Sequence, residues 1–205
     1  MNVTKKAGRP KLFDKNEALL AAVNVFWERG YEGASVKNLT EAMGINSPSL
    51  YAEFGDKHNL YLQAIDCYAN NDACAPLVAI EGIEDIHVAV RAFLDAAINY
   101  STDHDSGAKG CFLVSCVSTS AGHVEGVSEL LYEAIAATDA RITARFDLEK
   151  KKGGLSRQFP SAERARLLFD LRQGLVFRAR AGVSAKVLSK DLANLVQLVL
   201  ADSGK

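Results

Sequence analysis

The chain has 205 residues, 48% of them apolar and 24% charged, with a formal net charge of −1. That is enough chain for one large domain or two small ones around a sizeable core. The near-zero balance excludes a uniformly basic nucleic-acid coat, and no apolar run approaches the ~18 residues needed to cross a membrane. Four cysteines (Cys67, Cys74, Cys111 and Cys116) form no C-x-x-C pair, and the charged, Pro-containing start has no secretory h-region. Reduced thiols in the cytoplasm, and no membrane partner, are expected.

Charge is concentrated at the start. Residues 1–15 hold Lys5, Lys6, Arg9, Lys11 and Lys15 against Asp14 alone. Such an arm is either a solvated tail or a tracker of phosphates and minor grooves. Helix 1 begins at Asp14, with Glu17 three residues on. It carries Leu19, Val23, Phe26 and Trp27 on one stripe and stops at Gly30. At that spacing Trp27 reads as core.

The segment from Ala34 to Lys57 reads ASVKNLTEAMGINSPSLYAEFGDK. Ser35 is a good N-cap, and Val36, Leu39 and Met43 recur at helical spacing. Gly44 breaks that helix and Ile45 plugs the turn. Ser47 can cap a second short helix, with Pro48 at its first position, where a missing N–H costs nothing. Leu50 and Phe54 face inward, while Ser47, Ser49, Tyr51, Ala52 and Glu53 are left outside. This is a helix-turn-helix whose second helix suits a DNA major groove.

Asp56 caps a fourth helix running through Leu60, Ile65 and Tyr68 to about Ala75, before Pro76. Helices are then expected over 84–103, over 111–120, over 125–150, near 161–181 and near 185–202, the last two separated by Gly182. CFLVSCV, from Cys111, would make a strand without a partner. The fold class is therefore all-α with about nine helices. Residues 1–60 form a helix-turn-helix domain behind a basic arm, and 61–205 a helical regulatory and dimerisation domain.

Short Ser47 and Ser49 can donate to a phosphate or a base edge, and Pro48 offers an apolar face to a thymine methyl. Asn46 either makes a bidentate adenine contact or caps the helix. Glu53 either reads a cytosine amino group or points away. Ser35 presents a helix N-terminus, and Lys57 sits in the first turn of another, where N–H groups attract phosphate. No Arg lies in the recognition helix, so affinity must lean on backbone contacts, the arm and dimeric avidity.

Phe26, Gly30-Tyr31, Ala34-Ser35-Val36, Leu39, Gly44-Ile45, Leu50-Tyr51, Phe54 and Lys57 together resemble the N-terminal domain of the tetracycline-repressor (TetR) family of bacterial regulators. The match spans residues 9–65; the GRPK arm and PSLYAEFGDK resemble one branch of it. The expected DNA contacts are Arg9, Lys11, Ser35, Asn46, Ser47, Pro48, Ser49, Tyr51 and Lys57. For the Tyr51 hydroxyl the resemblance implies a phosphate, against packing on helix 1. Many members carry Gly where Pro48 stands, so the base contacts here depart from the commonest pattern.

The rest of the chain carries no catalytic constellation: His58, His87, His104 and His123 are scattered, and there is no H-x-x-x-H, phosphate loop or nucleophile elbow. No cofactor or metal is expected. Cys111 and Cys116 are five apart and would point apart on one helix, each a small buried hydrophobe or, less simply, a sensing thiol. Tyr68, Phe93, Tyr100, Phe112, Cys116 and Gln173 could line a cavity or be ordinary core; it is the resemblance that implies a small-molecule effector site here. Leu168, Leu171 and Leu175 form one stripe, and Leu188, Leu192, Leu195 and Val199 another, suited to intramolecular packing or to a four-helix interface with a second copy. The expected function is a dimeric repressor of a palindromic double-stranded operator. The alternatives are a constitutive or architectural DNA binder and, from another class, a helical enzyme or metal-binding module.

Overall fold

The computed structural model describes residues 13–69, 75–103 and 111–201. Every regular element among them is helical. The chain divides into two compact units, between Tyr68 and Ala69. That divide lies at the end of the fourth helix, later than residue 60. The reason is aromatic packing: the Tyr61 ring lies 4.7 Å from Phe26 and 4.9 Å from Tyr31, and Tyr68 meets Trp27 edge-on at 5.7 Å. Tyr68 thus packs with the first unit.

The first unit contains α1 (Lys15–Gly33), α2 (Val36–Met43), α3 (Ser47–Phe54) and α4 (Lys57–Ala69). Asp14 caps α1, its carboxylate accepting from Asn16 N at 2.7 Å and Glu17 N at 3.0 Å. Gly30 is non-helical (φ 70°, ψ 171°), so the first regular helix stops there as its sequence implies and a short helical turn follows across a kink. The stripe of Leu19, Val23, Phe26 and Trp27 is buried.

The second unit begins with α5 (Ala75–Gly82), a helix absent from the sequence-based expectation. Pro76 does not stop α4 here; it sits in the first turn of α5, where its missing N–H is harmless. Next come α6 (Ile86–Thr102), a π-helical turn (Leu113–Val117) running into α7 (Ser118–Ser120), α8 (Val127–Lys152) and α9 (Ser161–Arg180). The chain finishes with α10 (Ala185–Leu188), a 3-10 turn (Ser189–Asp191) and α11 (Leu192–Leu200). CFLVSCV is therefore helical, with a π turn. Cys111 and Cys116 are both buried, Cys116 within the π turn and Cys111 ahead of it.

Helices α5, α6, α8, α9 and α11 enclose one core that includes Ile80, Phe93, Leu94, Phe146, Phe159 and Val196. The leucine stripes belong to it as well. Leu168, Leu192 and Val199 are fully buried within the single chain, Leu175 and Leu188 nearly so, and Leu171 and Leu195 pack against them. For Leu168, Leu175, Leu188, Leu192 and Val199 this burial takes the place of the expected contact with a second copy, while Leu171 and Leu195 keep part of their surface. Both stripes help to close the chain's own core.

One polar feature crosses this core. Arg145 on α8 is buried, and its Nε donates to the Ile80 carbonyl at 3.1 Å. Its Nη2 donates to the carbonyls of Ile83 (3.1 Å) and Glu84 (2.8 Å). It thereby satisfies one carbonyl in the last turn of α5, which a helix C-terminus leaves without an intrahelical donor, and two in the turn that follows.

Candidate nucleic-acid interface

Helix α2 is set by a capping box. Asn38 N donates to Ser35 Oγ at 3.1 Å, and Ser35 N to Asn38 Oδ1 at 3.2 Å. Asn38 was not singled out in the sequence because the box partner is usually Glu or Gln. The helix ends at Gly44, whose φ of 64° and ψ of 28° lie in the left-handed region. Only glycine adopts it freely, so Gly44 fixes the angle at which α3 leaves. Ile45 N closes the turn onto the Thr40 carbonyl at 3.1 Å.

Helix α3 is capped one residue earlier than expected. Asn46, not Ser47, is the N-cap, its Oδ1 accepting from Ser49 N at 2.9 Å. Ser47 is therefore the first helical residue and Pro48 the second, positions where neither side chain is needed for capping. Leu50 and Phe54 are buried and seat the helix. Ser47, Pro48, Tyr51 and Ala52 are exposed and Ser49 half-buried. Eight residues at ~1.5 Å rise make a rod about as long as a major groove is wide, ~12 Å. Tyr51 is 51% exposed.

Glu53 follows the second of its two alternatives and is turned away from the exposed face of α3. It is half-buried, and its carboxylate lies 3.5 Å from Lys15 Nζ at the start of α1. The acid thus turns towards a cation, not outwards. Lys57 is half-buried as well, not exposed: its ammonium stands 4.5 Å over the Tyr31 ring. Burial, with Glu32 and Asp56 adding, pushes the Tyr31 hydroxyl above its usual range, so this ring stays neutral beneath the cation. At the start of α4, Asp56 Oδ1 accepts from Asn59 N at 2.7 Å. That helix N-terminus already holds a carboxylate, which leaves Lys57 as the positive group there. Arg9 and Lys11 lie outside the described residues.

In the second unit, Phe93, Phe112 and Cys116 are buried with almost no surface. Tyr100 is 37% exposed, and Gln173 accepts from Arg172 Nη1 at 3.1 Å. A cleft of about 720 Å³ at the end of α8 is lined by Asp147, Lys150, Lys151, Lys152, Gly153, Leu155 and Arg157 and contains none of the expected ligand residues. Burial, with Asp66 adding, raises the Cys67 thiol. Among the described residues, no helix is long and apolar enough to cross a membrane.

Two short helices at a left-handed glycine turn, the second with a polar exposed face, define a helix-turn-helix DNA-binding protein. Comparison with known proteins agrees. The description "Bacterial regulatory proteins, tetR family" matches residues 18–64. The HTH-type transcriptional repressor BdcR of Escherichia coli K12 is 32% identical over 143 residues, covering 66% of this chain and 71% of BdcR. The HTH-type transcriptional repressor ComR of the same strain is 29% identical over 199 residues, 96% of this chain and 93% of ComR. A solved structure of the TetR family regulator CifR, a cysteine mutant complexed with 26-bp double-strand operator DNA, superposes with a TM-score of 0.81 at 30% identity, covering 92% of this chain and 98% of that one. The chain belongs to the TetR family. It is a DNA-binding transcriptional regulator and not an enzyme.

Proposed function

We propose that the chain is a cytoplasmic, ligand-responsive repressor that binds a palindromic operator as a homodimer. The observation that carries this reading is the outer face of α3. Ser47, Pro48 and Tyr51 stand exposed on it, while the one acid of the helix is turned back onto Lys15. In this reading Ser47, Ser49 and the amide nitrogen of Asn46 meet base edges, and Pro48 meets a thymine methyl. Tyr51, Lys57 and the amides behind Ser35 hold phosphates, and Arg9 and Lys11 follow the backbone from the arm.

The second copy packs on the outer faces of α8 and α9. On α8, Tyr132, Ala136, Ala140, Ala144 and Leu148 are exposed at four-residue spacing. On α9, Phe177 is 70% exposed, in line with Arg166 and Asp170. An effector taken up in the second unit beside Tyr100 and Gln173 releases DNA by binding better to a dimer whose recognition helices no longer match successive major grooves. Equal affinity for both states would release nothing.

Selection of random duplex DNA by the purified chain tests this reading. The enriched sites should contain two inverted half-sites with centres about 34–36 Å apart or a multiple of that. Enrichment of a lone half-site, or of no sequence at all, would overturn it.

A further inference from the structure

We infer that Glu53 and Phe54, at the end of the recognition helix, are positioning residues for the N-terminal arm, so that arm contacts and major-groove reading are set by one element. The inference rests on the proposal that the arm contacts DNA. It starts from five described residues. Phe13, the first of them, packs on Phe54 with ring centroids 6.3 Å apart. Asp14 caps α1 and fixes the backbone at that point. Lys15 places its ammonium 3.5 Å from the Glu53 carboxylate and 5.5 Å over the Phe54 ring. The sequence ahead of Phe13 holds Lys5, Lys6, Arg9 and Lys11 and no acid. Whatever course the arm takes, it departs from a point tied to the last turn of α3.

The position of Glu53 is electrostatically unfavourable for both the helix and DNA binding. A carboxylate in the last turn of a helix opposes the helix dipole, and one on a DNA-reading helix opposes phosphate. Lys15 answers both. The pair is partly buried on the Glu53 side, 17% against 43% exposed, so the acid gives up solvent to reach the lysine. An acid that acted only through its charge would weaken DNA binding, and its removal would strengthen binding. An acid that holds the root of the arm does the reverse. The sign of one substitution therefore separates the two.

The experiment measures affinity for the selected operator across salt concentrations, for the full chain, E53Q, R9A/K11A and the triple variant, with melting curves for each. E53Q should bind several-fold more weakly with a shallower salt dependence, since arm cations no longer meet their phosphates. In the R9A/K11A background, E53Q should not weaken binding further. A K15E/E53K charge swap should restore much of the loss. E53Q that binds as well as the wild type or better, or that weakens binding equally with and without Arg9 and Lys11, would overturn the inference. R9A/K11A with unchanged affinity and salt slope would instead overturn the arm reading itself, and this inference with it. F54L, which keeps apolar volume but loses the ring under Phe13 and Lys15, should follow E53Q if its melting temperature holds. If F54L unfolds, the decision rests on E53Q and the swap.

Discussion

Arg145 and Glu149 stand one turn apart on α8, with Nη1 and Oε2 2.9 Å apart and both side chains almost wholly out of water. The same guanidinium also serves one carbonyl in the last turn of α5 and two in the turn that follows. Breaking a buried pair leaves an uncompensated charge, at a cost of roughly 3–5 kcal/mol. Arg145→Met should lower the melting temperature strongly and free the end of α5. The double change Arg145→Met with Glu149→Leu should recover much of the loss, because no buried charge remains. Equal destabilisation by the single and double variants would mean that the carbonyl bonds, not the ion pair, dominate. Denaturant melts of the three proteins decide it.

A second carboxylate on α8 is less well served. Asp139 Oδ1 is buried with no hydrogen-bond partner. Burial lifts its carboxyl above the ordinary value of 3.8; Arg166 opposes the shift and Asp170 adds to it. A carboxyl raised in the folded state holds its proton more tightly there than in the unfolded chain. Stability is therefore lost as pH rises from about 3.8 through the folded value, and the full deficit is present at neutral pH. Asp139→Asn should melt higher than the wild type at pH 7, and the gain should vanish below about pH 3.8, where both states are protonated. A variant no more stable at neutral pH would show that Arg166 already compensates the charge.

The first unit was legible in the sequence because its signals are local. Asp14, Ser35 and Asp56 cap the helices they precede, and Leu50 and Phe54 face inward as their spacing implies. What the sequence misplaced depended on choices between equivalent neighbours or on distant partners. Asn46 and Ser47 are both good caps, and only the folded turn selects one. Glu53 meets Lys15 from another helix, a pairing no periodicity announces. The second unit was harder for the same reason. A leucine stripe such as Leu188, Leu192 and Val199 reads identically whether it packs on its own α6 and α9 or on a second chain. An effector site rests on the resemblance alone, and of the residues that would line it Phe93, Phe112 and Cys116 are buried.

Asn46 Oδ1 accepts from Ser49 N, so in the proposed complex only its amide nitrogen is left to donate to DNA. Aspartate caps as well as asparagine does, but it replaces that donor by an anion. Asn46→Asp should keep the melting temperature and lose operator affinity. Asn46→Ala should cost about 1 kcal/mol of stability. If Asn46→Asp bound the operator with unchanged affinity and base preference, Asn46 would be a cap and nothing more.

The dimer proposal depends on which leucines are already spent inside the chain. Leu192 has no exposed surface, while Phe177 is 70% and Tyr132 74% exposed. An aspartate at an exposed position costs a monomer little, whereas one at a buried position leaves an unpaired charge in the core. Leu192→Asp should therefore unfold the second unit, visible as lost helicity and a lowered melting transition. The double change Phe177→Asp with Tyr132→Asp should keep helicity and give a monomer by sedimentation at micromolar concentration, where the wild type sediments as a dimer. Its operator affinity should fall towards that of a single recognition helix, with specificity for the half-site retained. A wild-type monomer would end the dimer reading. A double variant that still sediments as a dimer would place the interface off the α8 and α9 faces.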